Sequence, residues 1–201
     1  MCGAFEQHRD AMHRWTDLLS DWPSDLIDHK NIRPTDDVLT LDAEGFSLRK
    51  WSLIPRWSKD SKLKYATFNA RGETVAEKPA FRDAWKRSQR CIIPASAYFE
   101  WPVIDGKKQC HRLSRSDGNA IVFGGLWETW QHGEEQRNTF TIITTAAAND
   151  IDWVHFRTPL IIDNEHIDHW LTCSPEEAAG LVIPRNDSGL YVAPVSSPKA
   201  L

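Results

Sequence analysis

Residues 91–101 read Cys-Ile-Ile-Pro-Ala-Ser-Ala-Tyr-Phe-Glu-Trp, and this stretch carries the clearest local signal for the fold. β-Branched and aromatic residues dominate it, and they favour extended backbone. The stretch therefore predicts two strands, Cys91 to Ile93 and Ala97 to Trp101. Similar composition elsewhere predicts five more strands: Val38 to Leu41, Phe46 to Trp51, Gln109 to Leu113, Ala120 to Trp127 and Thr139 to Thr145.

Helical signals are fewer, and they do not alternate regularly with the strands. Within Glu6 to Leu19, the apolar residues Met12, Trp15, Leu18 and Leu19 have the spacing of one helical face. Further helices are predicted over Lys78 to Ser88, Ala147 to Val154, Asn164 to Leu171, and from a start signal at Ser174 to about Val182. This order favours an α+β domain with a mostly antiparallel, curved or barrel-like sheet flanked by short helices.

The composition is that of one soluble domain spanning residues 1–201. With 41% hydrophobic and 26% charged residues, the chain is unlike a membrane protein, a disordered tail or a disulfide-rich miniprotein. Its four cysteines form no C-x-x-C pair, and no apolar stretch resembles a signal peptide. We therefore expect free thiols, a monomer, and a cytoplasmic location with no membrane partner.

Charge is distributed unevenly along the chain. The formal net charge of -4 argues against a nucleic-acid partner. However, residues 50–90 hold eleven Lys and Arg against four Asp and Glu, which leaves the rest of the chain strongly negative. Aromatic residues are interleaved with these cations: Trp51, Trp57, Tyr65, Phe68 and Trp85. Cations between aromatic rings predict a surface that binds single-stranded nucleic acid.

The amino terminus reads Met1-Cys2-Gly3, a context in which removal of Met1 would leave Cys2 with a free α-amine and a thiol. An α-amine titrates near about 8, so a fraction is neutral and nucleophilic at physiological pH. Toward an aldehyde, the amine can form a Schiff base and the thiol can close onto the same carbon. The product is a thiazolidine ring, in which two covalent bonds hold one carbon.

The motifs that follow Cys2 share their order with a known family across nearly the whole chain. They are Met1 to Phe5, Pro34-Thr35, Trp51 to Trp57, Phe68 to Thr74, Lys78 to Phe81, Arg90 to Ala95, Tyr98 to Trp101, Gly124 to Glu128, Phe140 to Ala147 and His155 to Pro159. On these residues the chain resembles the SRAP family, the abasic-site processing proteins that crosslink to abasic sites in single-stranded DNA.

The resemblance implies a covalent chemistry and a set of residues for it. Mature Cys2 would attack C1′ of the ring-opened abasic sugar, which is an aldehyde, and form the thiazolidine. Glu100 and His155 fall at the family's acid/base positions. Asn69 and Arg71 match the positions that hold the abasic nucleotide, and in a strand their side chains would share one face. Secondary AP-lyase activity and proteolytic loss of Met1, by the protein itself or by an aminopeptidase, belong to the same expectation.

Further DNA contacts are expected from the basic, aromatic segment and from residues near the motifs. Trp51 and Trp57 can stack on bases, although Trp51 suits core packing equally well. Lys78 adds a cation to the predicted binding surface. Arg157 can contact phosphate or pair with a carboxylate.

The chain departs from the family pattern at three places. Ala4 stands where the family usually has arginine, Arg33 where a small residue is more usual, and Ser52 where glycine is usual. Charge alone suggests that Arg33 supplies the cation that Ala4 lacks.

Two other classes of function remain open on the sequence. Met-Cys-Gly also opens amidohydrolases that release ammonia from glutamine, with Cys2 as nucleophile. Alternatively, the protein binds single-stranded or modified DNA without a covalent step. The pairs Cys110-His111 and His166/His169 lack a partner pair with zinc spacing, so we expect neither a metal nor a cofactor.

Overall fold

The computed structural model describes residues 2–19, 22 and 28–197, and strands dominate it. Fourteen strands lie in these residues: β1 Phe5–Gln7, β2 His29–Ile32, β3 Asp37–Asp42, β4 Gly45–Trp51, β5 Asn69–Arg71, β6 Arg90–Ala95, β7 Ala97–Glu100, β8 Val103–Ile104, β9 Lys107–Lys108, β10 His111–Arg115, β11 Ile121–His132, β12 Glu135–Ala146, β13 Arg157–Pro159 and β14 Leu190–Pro194. The helices are short: α1 Thr16–Leu19, α2 Arg82–Lys86, α3 Ile167–Thr172 and α4 Pro175–Ala179.

Five strands close into a ring in the order β11-β6-β3-β4-β12, and β12 pairs again with β11. The hairpin β11–β12 and the pairs β11–β6, β6–β3 and β3–β4 are antiparallel. The closing pair β4–β12 is parallel, with Phe140 opposite Trp51. The predicted α+β class, with a mostly antiparallel and barrel-like sheet, is therefore confirmed.

A second sheet has the order β14-β10-β7-β1-β2 and is antiparallel throughout. Its strand β1 lies between β7 and β2, so the amino-terminal segment has hydrogen-bonded neighbours on both sides. A core cluster that includes Cys2, Trp51, Tyr98 and Phe140 packs between this sheet and the ring. The residues next to Cys2 are consequently held by two layers of strands.

Close packing of the ring explains the glycine at position 125 in β11. A Cβ atom at Gly125 would lie 2.5 Å from the backbone oxygen of Thr141 on β12 and 2.8 Å from Ile93. Neither the hairpin partner nor the buried side chain leaves room for that atom. Gly125 therefore permits the close approach of β12 that the ring requires.

The seven predicted strands all form, but several helix predictions need correction. The stretch Glu6 to Leu19 starts as β1, continues as a 3-10 helix over Arg9–Trp15 and ends as α1, with Met12 and Trp15 buried. The side chains of Leu18 and Leu19 lie outside the described residues. The helix predicted from Lys78 shortens to Arg82–Lys86.

The helix predicted over Ala147 to Val154 is wrong. Residues 149–154 form consecutive turns, in which the N–H groups of Ile151 and Val154 donate to oxygens three residues back. The carboxylate of Asp150 accepts hydrogen bonds from Ser188. This long-range anchor holds the turns in place, and it has no local signal in the sequence.

The last two helices follow the prediction closely. Asn164 to Leu171 becomes a 3-10 turn, Asn164–His166, followed by α3. Ser174 caps α4 by accepting from the Glu177 N–H, and the Glu177 side chain accepts from the Ser174 N–H. Among the described residues, no helix is long and apolar enough to cross a membrane.

Candidate functional site

Cys2 lies at the entrance to β1 with its side chain fully buried. The side-chain amide of Asn69 donates a hydrogen bond to the Cys2 carbonyl oxygen at 2.7 Å. The thiol donates to the carbonyl oxygen of Ala4, two residues further along the chain, with Sγ 3.7 Å from that oxygen. Burial, reinforced by the negative charge of Glu100, raises the pKa of the Cys2 thiol well above its usual value. The sulfur is therefore held as a protonated thiol at neutral pH.

Glu100 ends β7, the strand that pairs with β1, and is also buried. Burial raises the pKa of this carboxyl to about 7. A carboxyl with this pKa is divided between its protonated and ionised forms at neutral pH, so it can both give and accept a proton. Strand pairing thus brings a proton donor and acceptor close to the thiol.

His155 follows the turns after β12, and the Arg157 backbone holds its ring. The Arg157 N–H donates to Nδ1 at 2.9 Å, which places the proton of the neutral ring on Nε2. The Arg157 oxygen lies 3.1 Å from the same nitrogen and can accept from it when the ring is charged. Burial, with nearby positive charge, lowers the pKa of His155. The ring is consequently supported in both protonation states and neutral at pH 7.

Asn69 and Arg71 lie on β5, which pairs in parallel with β12. Both side chains line one groove of about 430 Å³, together with Lys78. Arg71 and Lys78 are exposed, whereas Asn69 is half-buried and reaches Cys2. The shared face predicted for Asn69 and Arg71 is therefore present, and Asn69 connects the groove to the backbone of Cys2.

The two tryptophans have different environments. Trp51 is fully buried among Phe5, Phe68 and Phe140, and its Nε1 donates to the Phe68 oxygen at 2.7 Å. It has no accessible ring face, so the prediction that Trp51 stacks on a base is wrong. Trp57 is 50% exposed and remains available to a base.

Sequence and structure comparisons place the chain among known proteins. The family model "SOS response associated peptidase (SRAP)" matches residues 1–198. The chain belongs to the SRAP family. Similar SRAP relatives include the abasic site processing protein YoaM of Bacillus subtilis, 36% identical over 83% of this chain and 77% of the relative. Another is the abasic site processing protein HMCES of Gallus gallus, 27% identical over 74% of this chain and 52% of the relative.

Solved structures of low sequence identity share the fold. A protein from Bacteroides thetaiotaomicron has a TM-score of 0.82 at 23% identity, over 98% of this chain and 96% of that one. A protein from Bordetella bronchiseptica also has a TM-score of 0.82, at 24% identity, over 98% of this chain and 100% of that one. The fold shared with these proteins therefore extends over nearly the whole chain.

Arg157, in a SRAP motif, pairs with a carboxylate. Its side chain is 9% exposed and forms a two-pronged contact with Glu73, with Nη2 2.8 Å from Oε2. It also donates to the Thr144 oxygen at 2.6 Å. The Arg157 guanidinium lowers the pKa of Glu73. Of the two predicted roles, the structure has the ion pair, which ties β13 and the residues after β5 together.

The three departures from the SRAP pattern cluster around the amino-terminal segment and β4. Ala4 is fully buried. The Arg33 guanidinium lies over the Trp101 ring at 5.2 Å, and its Nη1 is 3.4 Å from the Gly3 oxygen. A cation therefore lies beside the nucleophile despite Ala4. Ser52 directly follows β4, and its N–H donates to the Phe140 oxygen at 3.0 Å.

Two features of the candidate site have no signal of their own in the sequence. Tyr98 donates or accepts a hydrogen bond with Thr158 at 3.2 Å, which joins the Glu100 strand to β13. The exposed Tyr65 lines the groove beside Asn69, although the sequence marks it only as one aromatic of the basic segment. The described residues contain no cluster of three or more His, Cys, Asp or Glu that could hold a metal ion. The four cysteines are free thiols, as predicted.

Proposed function

We propose that the protein, after loss of Met1, captures abasic sites in single-stranded DNA as a covalent thiazolidine on Cys2. The observation that carries the proposal is the environment of Cys2, a buried thiol beside Glu100 with its backbone held by Asn69. The relatives' name, abasic site processing protein, supports the substrate. The ring-opened abasic sugar supplies the aldehyde that an amine and a thiol on one residue can trap.

The α-amine reacts first, because the thiol has a raised pKa and little thiolate is present. The nitrogen of Cys2 adds to C1′ and gives a carbinolamine. Loss of the C1′ hydroxyl as water then forms the Schiff base. The Schiff base keeps its N–H and is positively charged. The thiol then gives its proton to the carboxylate that protonated the departing hydroxyl, the sulfur adds to C1′, and the five-membered ring closes with a neutral N–H. One water molecule leaves, and nothing is oxidised or reduced.

Glu100 is the group that moves protons in both stages. In its protonated form it donates to the departing hydroxyl, and the resulting carboxylate can then accept the thiol proton. A pKa of about 7 suits both directions, because neither form is scarce at neutral pH. Glu100 thus returns to its starting state when the ring has closed.

His155 supplies a hydrogen-bond donor to the opened sugar. With Nδ1 occupied by the Arg157 N–H, the neutral ring presents its Nε2 proton. An alcohol oxygen released when the sugar ring opens is a suitable acceptor. Such a hydrogen bond would favour the open aldehyde over the closed hemiacetal, so a larger fraction of the bound abasic sugar would be in the reactive form.

The DNA strand is held next to these groups by the groove residues. Asn69 orients the Cys2 backbone, and Arg71 and Lys78 present exposed cations for phosphate. Trp57 offers an exposed ring at the same side, with its Nε1 bonded to the Pro79 oxygen. We propose that the protein works as a monomer on DNA in the cytoplasm, where an aminopeptidase or the protein itself removes Met1.

A secondary lyase reaction follows from the same Schiff base. Before the sulfur closes the ring, the iminium makes the neighbouring C2′ proton acidic, and its loss can expel the 3′ phosphate by β-elimination. Ring closure at Cys2 removes the iminium and protects the strand. Cys2→Ala should therefore lose the stable crosslink while retaining a labile amine adduct and some strand cleavage.

Incubation of the purified protein with a uracil-containing oligonucleotide, treated beforehand with a glycosylase, tests the proposal. We expect a crosslinked band that survives heating on a denaturing gel and is absent with the untreated oligonucleotide. Mass spectrometry should show that Met1 is missing and that Cys2 carries the sugar. A heat-stable crosslink formed by Cys2→Ala at the wild-type yield, without reductant, would overturn the mechanism.

A further inference from the structure

A groove of about 430 Å³ has Asn69 in its wall, and most of the residues that line it take no part in the covalent reaction. Its walls include Tyr65, Pro79 and Phe81, and its polar rim includes Arg71 and Lys78. Asn69 is shared between the groove and the nucleophile, because its amide donates to the Cys2 oxygen. A ligand in the groove therefore shares the Asn69 side chain with the residue that holds the abasic sugar.

The walls of the groove are suited to a flat apolar ring. Tyr65 is 49% exposed, and the side chain of Phe81 is 8% exposed. The wall at Pro79 is braced from outside, because the Trp57 Nε1 donates to the Pro79 oxygen at 3.0 Å. A rigid surface with an accessible aromatic ring is the arrangement on which unpaired bases stack.

The rim of the groove is suited to an anion. Arg71 and Lys78 are both exposed, and no Asp or Glu is among the described residues that line the groove. A cationic rim above an apolar wall matches the two parts of one nucleotide, its phosphate and its base.

We propose that this groove is a nucleobase subsite for the nucleotide directly next to the lesion, on one side of it, with Tyr65 stacked on the base. The proposal rests on the function proposed above. An abasic nucleotide has no base of its own, so only a neighbour can supply one. The subsite also selects single-stranded DNA, because a neighbouring base that is paired in a duplex cannot enter it without unpairing.

Non-covalent binding to single-stranded oligonucleotides with one tetrahydrofuran residue, which lacks the aldehyde, tests this subsite. Two further oligonucleotides carry a second tetrahydrofuran in place of the base on the 5′ or on the 3′ side. Loss of the correct base should weaken wild-type binding about 5- to 150-fold, the size of one base–aromatic stack. In Tyr65→Ala, the same loss should have an effect of less than about twofold, because the stacking partner is already gone.

Two variants control the experiment. Tyr65→Phe keeps the ring and should respond as the wild type does. Tyr191→Ala removes another exposed tyrosine, 63% exposed on β14 in the second sheet, and should also respond as the wild type does. Equal responses of the wild type and Tyr65→Ala to both missing bases would overturn the subsite. If Tyr65→Ala reduced the effect of the missing 5′ base and of the missing 3′ base alike, the placement of the subsite on one side of the lesion would be wrong.

The measurement separates this proposal from the one on which it rests. If the wild type formed no crosslink with true abasic DNA, the covalent function would fail while the coupling between Tyr65 and the base could still be observed. If crosslinking occurred without that coupling, the subsite alone would be wrong. If Tyr65→Ala is unstable, the wild type alone still tests the subsite, because its affinity should fall when the base on one side of the lesion is missing and not when the base on the other side is missing.

Discussion

Replacing Glu100 by glutamine removes a carboxyl whose pKa the fold raises to about 7. The main cause is burial, because Glu100 lies on β7 with a side chain that is only 5% exposed. In the unfolded chain the carboxyl returns to its ordinary pKa, near about 4.3. The native state therefore binds the Glu100 proton more tightly than the unfolded state does.

The sign of the effect follows from this difference. The native state benefits fully from the bound proton below the unfolded pKa, and the benefit is lost as the pH rises to about 7 and beyond. A difference of two to three pH units corresponds to about 3 kcal/mol of unfolding free energy. Glu100→Gln lacks this titration, so its stability relative to the wild type should increase by about 3 kcal/mol between about pH 4 and about pH 8.5.

Urea unfolding of both proteins at a series of pH values measures this change. The comparison uses the slope against pH, because the glutamine amide adds a constant cost at every pH. Glu134→Gln, in the exposed turn between β11 and β12, is the control and should follow the wild type within about 0.5 kcal/mol. The crosslinking rate of Glu100→Gln should fall by about 100-fold or more. Parallel stability profiles for Glu100→Gln and the wild type would show that burial does not raise the pKa of this carboxyl.

Three further variants test the site and its support. Asn69→Leu removes the donor to the Cys2 oxygen and should slow crosslinking about 10- to 100-fold in single-turnover assays, the loss expected when a positioning contact is removed; an unchanged rate would contradict the positioning role. Trp51→Ala should lower the unfolding free energy by about 4 kcal/mol, measured in urea, since the ring is fully buried; a loss below about 1 kcal/mol would show that the core repacks. Arg157→Lys cannot keep both contacts to Glu73 and should destabilise the fold by about 1–3 kcal/mol by thermal unfolding, with DNA affinity little changed; a selective loss of affinity would restore a phosphate role.

Most strands could be predicted because their signal is local. The runs around residues 91–101 and 139–145 are rich in β-branched and aromatic residues, and this composition suffices to indicate extended backbone. The closure of the ring could not be predicted in the same way. Phe140 pairs with Trp51 in parallel across almost ninety residues of chain, and no local pattern encodes that partner. The sequence therefore indicates a barrel-like sheet without indicating the order of its strands.

The failed helix over Ala147 to Val154 has the same origin. Its residues have acceptable helical composition, but Asp150 is held by Ser188, which lies far along the chain. The helix predicted from Lys78 begins only at Arg82, because residues 79–81 form a turn in which the Phe81 N–H donates to the Lys78 oxygen at 2.9 Å. In both segments, hydrogen bonds formed in the fold outweigh the helical propensity of the residues.

The order of the motifs in the sequence indicates the candidate site residues. The structure then separates those that are buried in the fold from those that are exposed to a ligand. Trp51 and Trp57 look alike in the sequence, yet one ring is enclosed and the other is exposed. The sequence leaves Arg157 either a phosphate contact or an ion pair, and only the fold decides, because its partner Glu73 lies 84 residues away in the chain. Tyr65 had no motif of its own, and only the shape of the groove indicates its role.

The parallel pairing of β12 with β4 and β5 has a consequence for how the protein acquires its chemistry during folding. β12 carries Asn69 through its pairing with β5, and it leads into the turns before His155. None of these positions is defined until residues about 70 to 90 positions apart in the chain have met, a contact pattern typical of domains that fold in milliseconds to seconds. A partly folded chain would therefore have its nucleophile without the groups that position it. Reactivity and the native fold should appear together, in one kinetic phase.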